Sequence, residues 1–170
     1  EIAFGLINQG MSEEEASKSV ARAACQMGLE DLLEQAPDTL SGGQTQRLAI
    51  ASEIAFDPEF LIMDDPTSQM DPVGRKEFFE WLAGCSEKTI FIVSNEVDDL
   101  CEIADQLWVL EKGELIASGK PLDVINQVAE GHDLYLPVVY RMAKELGKKL
   151  PSGLFPVKLS ELKGCFDDQN

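Results

Sequence analysis

Apolar positions in this chain alternate between helical spacing and short unbroken runs, the pattern of an α/β domain. Ala16, Val20, Ala23, Ala24 and Met27 follow helical spacing. Ser12, with Glu15 three residues on, makes a capping box at the start of that helix, and Gly28 suits its C-terminal cap. Residues 1–10 precede it without a helix cap. A short helix is expected at about 30–35, carrying Leu32 and Leu33 and ended by Pro37. Ser41 then caps a helix over about 42–56, with Leu48, Ala49, Ala51 and Ile54 as its apolar face. Asp57-Pro58 breaks it. The run Phe60-Leu61-Ile62-Met63 is short and uninterrupted, as a buried parallel strand should be.

Asp71-Pro72 is the N-cap and first position of another helix, whose buried candidates are Phe78, Phe79 and Leu82 and whose stop is Gly84. Thr89–Val93 is a second buried strand, followed by a helix through about Ala104 with Leu100 and Ile103. Leu107–Leu110 and Leu115–Ala117 form a hairpin across Lys112-Gly113. Pro121 opens a helix with Leu122, Val124, Ile125 and Val128, and Pro137 opens another with Val138, Val139, Met142 and Leu146. A last short helix is expected at about 158–163. No period of 20–50 residues repeats.

Chemistry concentrates between Leu40 and Asp71. Two glycines after the Ser41 cap leave backbone N–H groups open at a helix start, which makes an anion-binding terminus. Asp64 and Asp65 sit at the carboxyl end of the first strand, where open α/β sheets place their ligands. A phosphate receptor together with a metal-binding carboxylate pair points to a nucleotide. The bland alternative is a polar turn before an ordinary core helix and strand.

In these residues the chain resembles the ABC-type ATPases. Leu40-Ser41-Gly42-Gly43-Gln44 matches their signature loop letter for letter, Phe60–Asp64 resembles their Walker B strand, and Ser68–Asp71 resembles their D-loop. The run Asp133-Leu134-Tyr135-Leu136-Pro137, the helix after it and Pro156–Leu162 resemble the C-terminal extension of cobalt and energy-coupling-factor transporter ATPases. Glu1–Gly5 resembles the segment that those proteins carry just after the Q-loop.

The resemblance implies a fold class of α/β: a partial P-loop NTPase sheet of the RecA-like ABC ATPase kind, with a helical subdomain and a small, mainly helical C-terminal extension. It divides the chain into an ATPase segment, residues 1–130, and an extension, residues 131–170, a possible dimerisation region. Within the ATPase segment lie the helical subdomain at about 11–56, the Walker B to H-loop region at 57–104 and the hairpin at 106–119. The implied cofactors are ATP and Mg²⁺. Ser41, Gly42 and Gly43 would contact the γ-phosphate of ATP held by a partner's P-loop, with Gln44 beside them. Asp64 would hold Mg²⁺ through water, Asp65 would orient the attacking water, Asn95 would sense the γ-phosphate and Asp71 would communicate across the dimer.

The Gly-x-x-x-x-Gly-Lys-Ser/Thr phosphate loop that such a site needs is absent from the 170 residues, as is the Q-loop. The chain is therefore expected to be the second half of a nucleotide-binding domain from a longer protein, unable to hydrolyse ATP alone. A sheet without its P-loop strand exposes apolar edges, which lowers independent stability. Two positions depart from the family pattern. Asp65 stands where a catalytic glutamate is usual, and Asn95 where the switch histidine is usual. An aspartate is one methylene shorter, and an amide takes up no proton in a useful pH range. Drift with activity retained and hydrolytic impairment of this half-site both remain open.

The function this resemblance implies is that of an ATP-binding subunit of a cobalt- or vitamin-type ABC importer. Its partners would be a second ATPase subunit, identical or not, and integral membrane transporter subunits. Its place would be peripheral, on the cytoplasmic side of the membrane. A soluble non-transport ABC ATPase and a catalytically weak regulatory or dimerising half are the alternatives.

Composition narrows these classes. Apolar residues make up 44% and charged residues 26%, the balance of a globular domain, and no run approaches the ~18–20 apolar residues of a membrane helix. A formal net charge of −17 argues against a nucleic-acid ligand. Cys25, Cys85, Cys101 and Cys165 lack Cys-x-x-Cys spacing and fit reduced, mostly core-filling thiols. His132, the single histidine, fits a structural or solvated side chain better than a ligand.

Overall fold

The structure is a computed structural model and describes residues 1–132 and 134–167, so Asp133 and residues 168–170 lie outside the described residues. The chain packs as two compact units, Glu1–Ser94 and Asn95–Asn170.

The first unit opens with a layer of three mutually packed helices: α1 (Ile2–Asn8), α2 (Glu13–Gln26) and α3 (Gly42–Ile54). The first of these is not expected from the sequence. Glu1 makes no side-chain cap, but Ile2 and Leu6 stand one turn apart and both are buried, so packing rather than capping holds α1. The Ser12–Glu15 capping box at the start of α2 is present in both directions. Instead of a helix at about 30–35 there are two 3₁₀ turns, Glu30–Leu32 and Pro37–Thr39. Three residues close one tight turn, and Pro37 fixes the second. The inward face of α3 is Ile50, Ala51 and Ile54; Ala49, expected inside, is exposed and Leu48 half-buried.

β1 (Phe60–Asp64) pairs in parallel with β2 (Thr89–Val93), Phe60 opposite Thr89 and Asp64 opposite Val93. Lys88 ties their amino ends together, its Nζ lying 2.7 Å from Asp57 Oδ1 and 2.8 Å from the Pro58 carbonyl. Between the strands runs α4 (Pro72–Ala83), burying Phe78, Phe79 and Leu82 as expected. The strands themselves depart from expectation. Leu61 is buried, but Phe60, Ile62, Phe91 and Val93 are exposed. Side chains alternate across a strand, and one face of this two-stranded sheet has no covering layer among the described residues.

The second unit contains α5 (Val97–Ile103) and an antiparallel hairpin, β3 (Leu107–Glu111) and β4 (Glu114–Gly119). Lys112 and Gly113 both have positive φ, the conformation of the two-residue turn that matches strand twist. Three helices follow: α6 (Pro121–Val128), α7 (Val138–Leu146) and α8 (Leu159–Asp167), the last longer than expected. One core joins Cys101, Leu107, Ala117, Val124, Ile125, Val128, Tyr140 and Val157. The packing division thus puts the hairpin with the extension, whereas the motif division at residue 130 separates them. Asn126 adds a polar seam: its Nδ2 donates to the Phe155 carbonyl at 2.8 Å and its Oδ1 accepts the Phe155 N–H at 2.9 Å.

The four cysteines are free thiols. Only Cys101 is fully buried, and Cys25 is exposed, so core filling describes one of them well and Cys25 not at all. Burial, with Asp98 and Glu102 nearby, pushes the Cys101 thiol up to about 12, which leaves it unreactive. His132 Nδ1 lies 2.9 Å from Glu111 Oε2.

Candidate functional site

Ser41 takes an extended backbone (φ −67°, ψ 163°) and its hydroxyl accepts the Gln44 N–H at 3.3 Å. Gln44 returns the bond, its Oε1 accepting the Ser41 N–H at 2.8 Å. Gln44 thus buttresses the loop locally, a role that the Ser-x-x-Gln spacing itself encodes. The Ser41 carbonyl accepts from the N–H and hydroxyl of Thr45, at 2.8 and 3.0 Å. Fixed from both sides, Ser41 keeps its own O–H free to donate outward. Ser41 and Gly42 are exposed, and the first turn of α3 carries no acidic residue. The positive end of this helix is therefore open to an anion.

Asp64 closes β1, exposed at its carboxyl end. Asp65, also exposed, follows in the left-handed region at φ 43°. Its N–H donates to the Val93 carbonyl at 2.8 Å and its carbonyl accepts from Ser68 at 3.2 Å. A non-glycine residue in this conformation costs about 1 kcal/mol, and aspartate tolerates it better than most. This gives Asp65 a backbone reason to be short, independent of any catalytic one. Thr67 is buried and its carbonyl accepts the Met70 N–H at 3.0 Å. Asp71 caps α4, its Oδ1 accepting the Gly74 N–H at 2.7 Å.

The Leu40–Gln44 loop and the turn after Asp65 lie against one another. A Cβ placed on Gly43 would come 2.9 Å from the Gln69 backbone oxygen, and one on Gly42 would come 2.6 Å from Gln69 Oε1. The sequence places Gln69 inside the D-loop-like run Ser68–Asp71 but gives no sign of its contact with the glycines. Asn95 belongs to the second unit, two residues past the end of β2. It is exposed and its carbonyl accepts the Val97 N–H at 2.9 Å.

Among the described residues, no three His, Cys, Asp or Glu side chains cluster as a metal cage. One or two exposed carboxylates fit Mg²⁺, which keeps several waters and is completed by substrate phosphates. Asp64 is the residue that would hold it. On the helical layer, a groove of about 320 Å³ is lined by Ile2, Val20, Leu29, Leu33, Pro37 and Leu48, among others.

Residues 4–68 match the family model described as ABC transporter. Over 169 residues the chain is 38% identical to the energy-coupling factor transporter ATP-binding protein EcfA2 of Streptococcus pneumoniae, covering 96% of this chain and 61% of that protein. It is 38% identical to the protein of the same name from Streptococcus pyogenes, of which it covers 60%. The chain thus spans about three-fifths of the length of these relatives. A solved structure of cbiO1 from Clostridium perfringens, described as part of the ABC transporter complex cbiONQ, is similar with TM-score 0.68 and 29% identity. That likeness covers 89% of this chain and 57% of that one. A dimeric bacterial ABC transporter cassette gives TM-score 0.64 and 27% identity over 71% of this chain and 54% of the other.

Proposed function

We propose that this chain, similar to the ABC transporter ATP-binding proteins, is the second half of an ATP-hydrolysing subunit of a cobalt- or vitamin-type importer. The observation that carries this is the doubly braced Ser41, which presents its hydroxyl and the open amides of α3 outward. That surface suits the γ-phosphate of an ATP held by a partner subunit, identical or not, so the signature loop acts in trans. ATP with Mg²⁺ supplies the driving reaction. Asp64 holds the ion through water, Asp65 orients the attacking water, Asn95 senses the γ-phosphate and Asp71 serves the dimer contact. The preceding half, with the P-loop, supplies the cover for Phe60, Ile62, Phe91 and Val93. Alone, residues 1–170 do not hydrolyse ATP.

The groove on the helical layer suits an apolar element of an integral membrane subunit. No helix among the described residues is long and apolar enough to cross a membrane. The likeness to transporter ATP-binding proteins supports peripheral attachment on the cytoplasmic side. The exposed apolar positions Val138, Met142 and Leu146 at helical spacing on α7 favour residues 131–170 as a second dimer contact. The resemblance assigns Asp65 and Asn95 to the nucleotide in cis, and both depart from the family pattern, so a dimer with a non-identical partner that keeps the usual residues hydrolyses asymmetrically.

The test is ATP hydrolysis by the full-length protein paired with its partner. Ser41→Ala should lower turnover by about tenfold or more, roughly 1.4 kcal/mol in the barrier. Asp65→Glu combined with Asn95→His should raise it by a similar factor. Unchanged turnover with Ser41→Ala would remove the trans role. A parent that hydrolyses well and ignores the double change would remove the asymmetry.

A further inference from the structure

The glycines of the signature loop have two neighbours to satisfy: the ligand they face and the turn behind them. Gly43 packs so closely on the turn that an added Cβ would meet the Gln69 carbonyl at 2.9 Å and the Met70 Cα at 3.5 Å. Both are main chain, and neither can swing aside. At Gly42 the neighbour is the Gln69 amide instead, 2.6 Å from an ideal Cβ. Gln69 is exposed, so burial does not dictate where that amide rests; the flat glycine face does. The turn itself is stiff. Ser68 N–H bonds to the Asp65 carbonyl, Met70 N–H to the Thr67 carbonyl, and Asp71 is locked as the cap of α4.

We propose that Gln69 is a positioning residue whose main chain braces Gly43 and whose amide lies against Gly42, so that the signature loop and the Asp65–Asp71 turn move as one body. The inference rests on the reading that Ser41 and the adjacent amides engage ATP in trans, and it supplies the link inside one subunit. Displacement of the loop by a partner's nucleotide reaches Asp65 through two glycine contacts and one stiff turn. The bland explanation, that the glycines only admit the phosphate, predicts that Gln69 contributes nothing.

Two measurements on the full-length protein decide between them. Without nucleotide, Gly43→Ala should speed amide exchange at Met70 by about tenfold or more, because the displaced Gln69 carbonyl strains the Thr67–Met70 bond. Unchanged exchange at Met70 overturns the proposal whether or not the protein hydrolyses ATP. With the partner present, Gly42→Ala and Gln69→Ala should each lower kcat by about fivefold, and the double variant should stay near fivefold, since both changes displace the same amide. KM for ATP should hold steady, because the partner's P-loop holds the nucleotide. Effects that multiply to about 25-fold, or a silent Gln69→Ala, overturn the proposal. If Ser41→Ala leaves hydrolysis untouched, the trans reading fails instead, and Met70 exchange still judges the joint.

Discussion

Ile62 in the first unit keeps 83% of its surface exposed, whereas Ile125 in the second keeps 2%. Both belong to strongly apolar segments, and sequence alone ranks them together. The difference lies in what each segment has to pack against. Around Ile125 the hairpin, α6, Tyr140 and Val157 close a core from several directions. Around Ile62 only one side of a two-stranded sheet is covered by described residues. The sheet that carries Asp64 is thus open on one face, whereas the core around α6 is enclosed, even though Trp108, Leu110 and Leu115 lie exposed on the hairpin outside it. Apolar runs record the complete partner layer that a strand was selected to meet, and the surroundings present decide how much of it is used.

Truncation in the enclosed core should have the largest effect. Ile125→Ala should cost about 2–5 kcal/mol of unfolding free energy in the second unit, from lost transfer energy plus a residual cavity. A cost below about 1 kcal/mol in denaturant titration would break the contrast. Next comes Asp71→Ala, which removes the cap of α4 and should cost about 1 kcal/mol. Thermal unfolding of the first unit checks it, and Asp71→Asn, which keeps the acceptor, should recover most of the loss.

A smaller effect is expected at the amino ends of β1 and β2. Lys88→Met should cost about 0.5 kcal/mol at neutral pH, the scale of a largely solvated ion pair. The Lys88 hydrogen bond and charge hold the Asp57 carboxyl below its ordinary 3.8. Its contribution is therefore complete above that value and lost as pH falls through the lower folded value. The gap between wild type and Lys88→Met should stay constant from neutral pH downward and shrink only below 3.8; a gap already closing well above that would show another group at work. The smallest effect sharpens the comparison most. Ile62→Ala should change the stability of residues 1–170 by under about 0.5 kcal/mol. In the full-length protein, where the preceding half is proposed to cover this face, the same change should cost about 2 kcal/mol or more. Equal small costs in both would mean that the face is never buried.

Legibility follows the range of each interaction. The Ser12–Glu15 box, the Asp71-Pro72 start, the Lys112-Gly113 turn and the Phe78–Leu82 face are local, and their residues announce them. Helix α1 escapes a sequence reading because it is held by packing against α2 and α3 rather than by a cap of its own. The starts of α7 and α8 are also satisfied from afar. Asp98 accepts the Val138 N–H at 2.7 Å across 40 positions, and Glu102 accepts the Leu159 N–H at 2.7 Å across 57. No spacing rule finds such caps. At the candidate site the motif letters locate Ser41 and Asp64, but the Gln69 contacts need coordinates, since the chain reversal that brings it to Gly43 is tertiary.

The Asn126–Phe155 seam also has a consequence for the order in which the chain becomes a structure. The two residues are 29 positions apart. At ~5–20 residues added per second, Phe155 follows Asn126 out of the synthesis machinery by roughly 1.5–6 s. Hairpins close in about 1–10 μs, so β3 and β4 are paired long before Val157 arrives. Through those seconds the inner side of α6 awaits its last cover, and Asn126 keeps only the Leu122 carbonyl, 2.9 Å from its Nδ2, as a partner within the helix. The second unit therefore completes its core only after the segment between helix and tail has been synthesised.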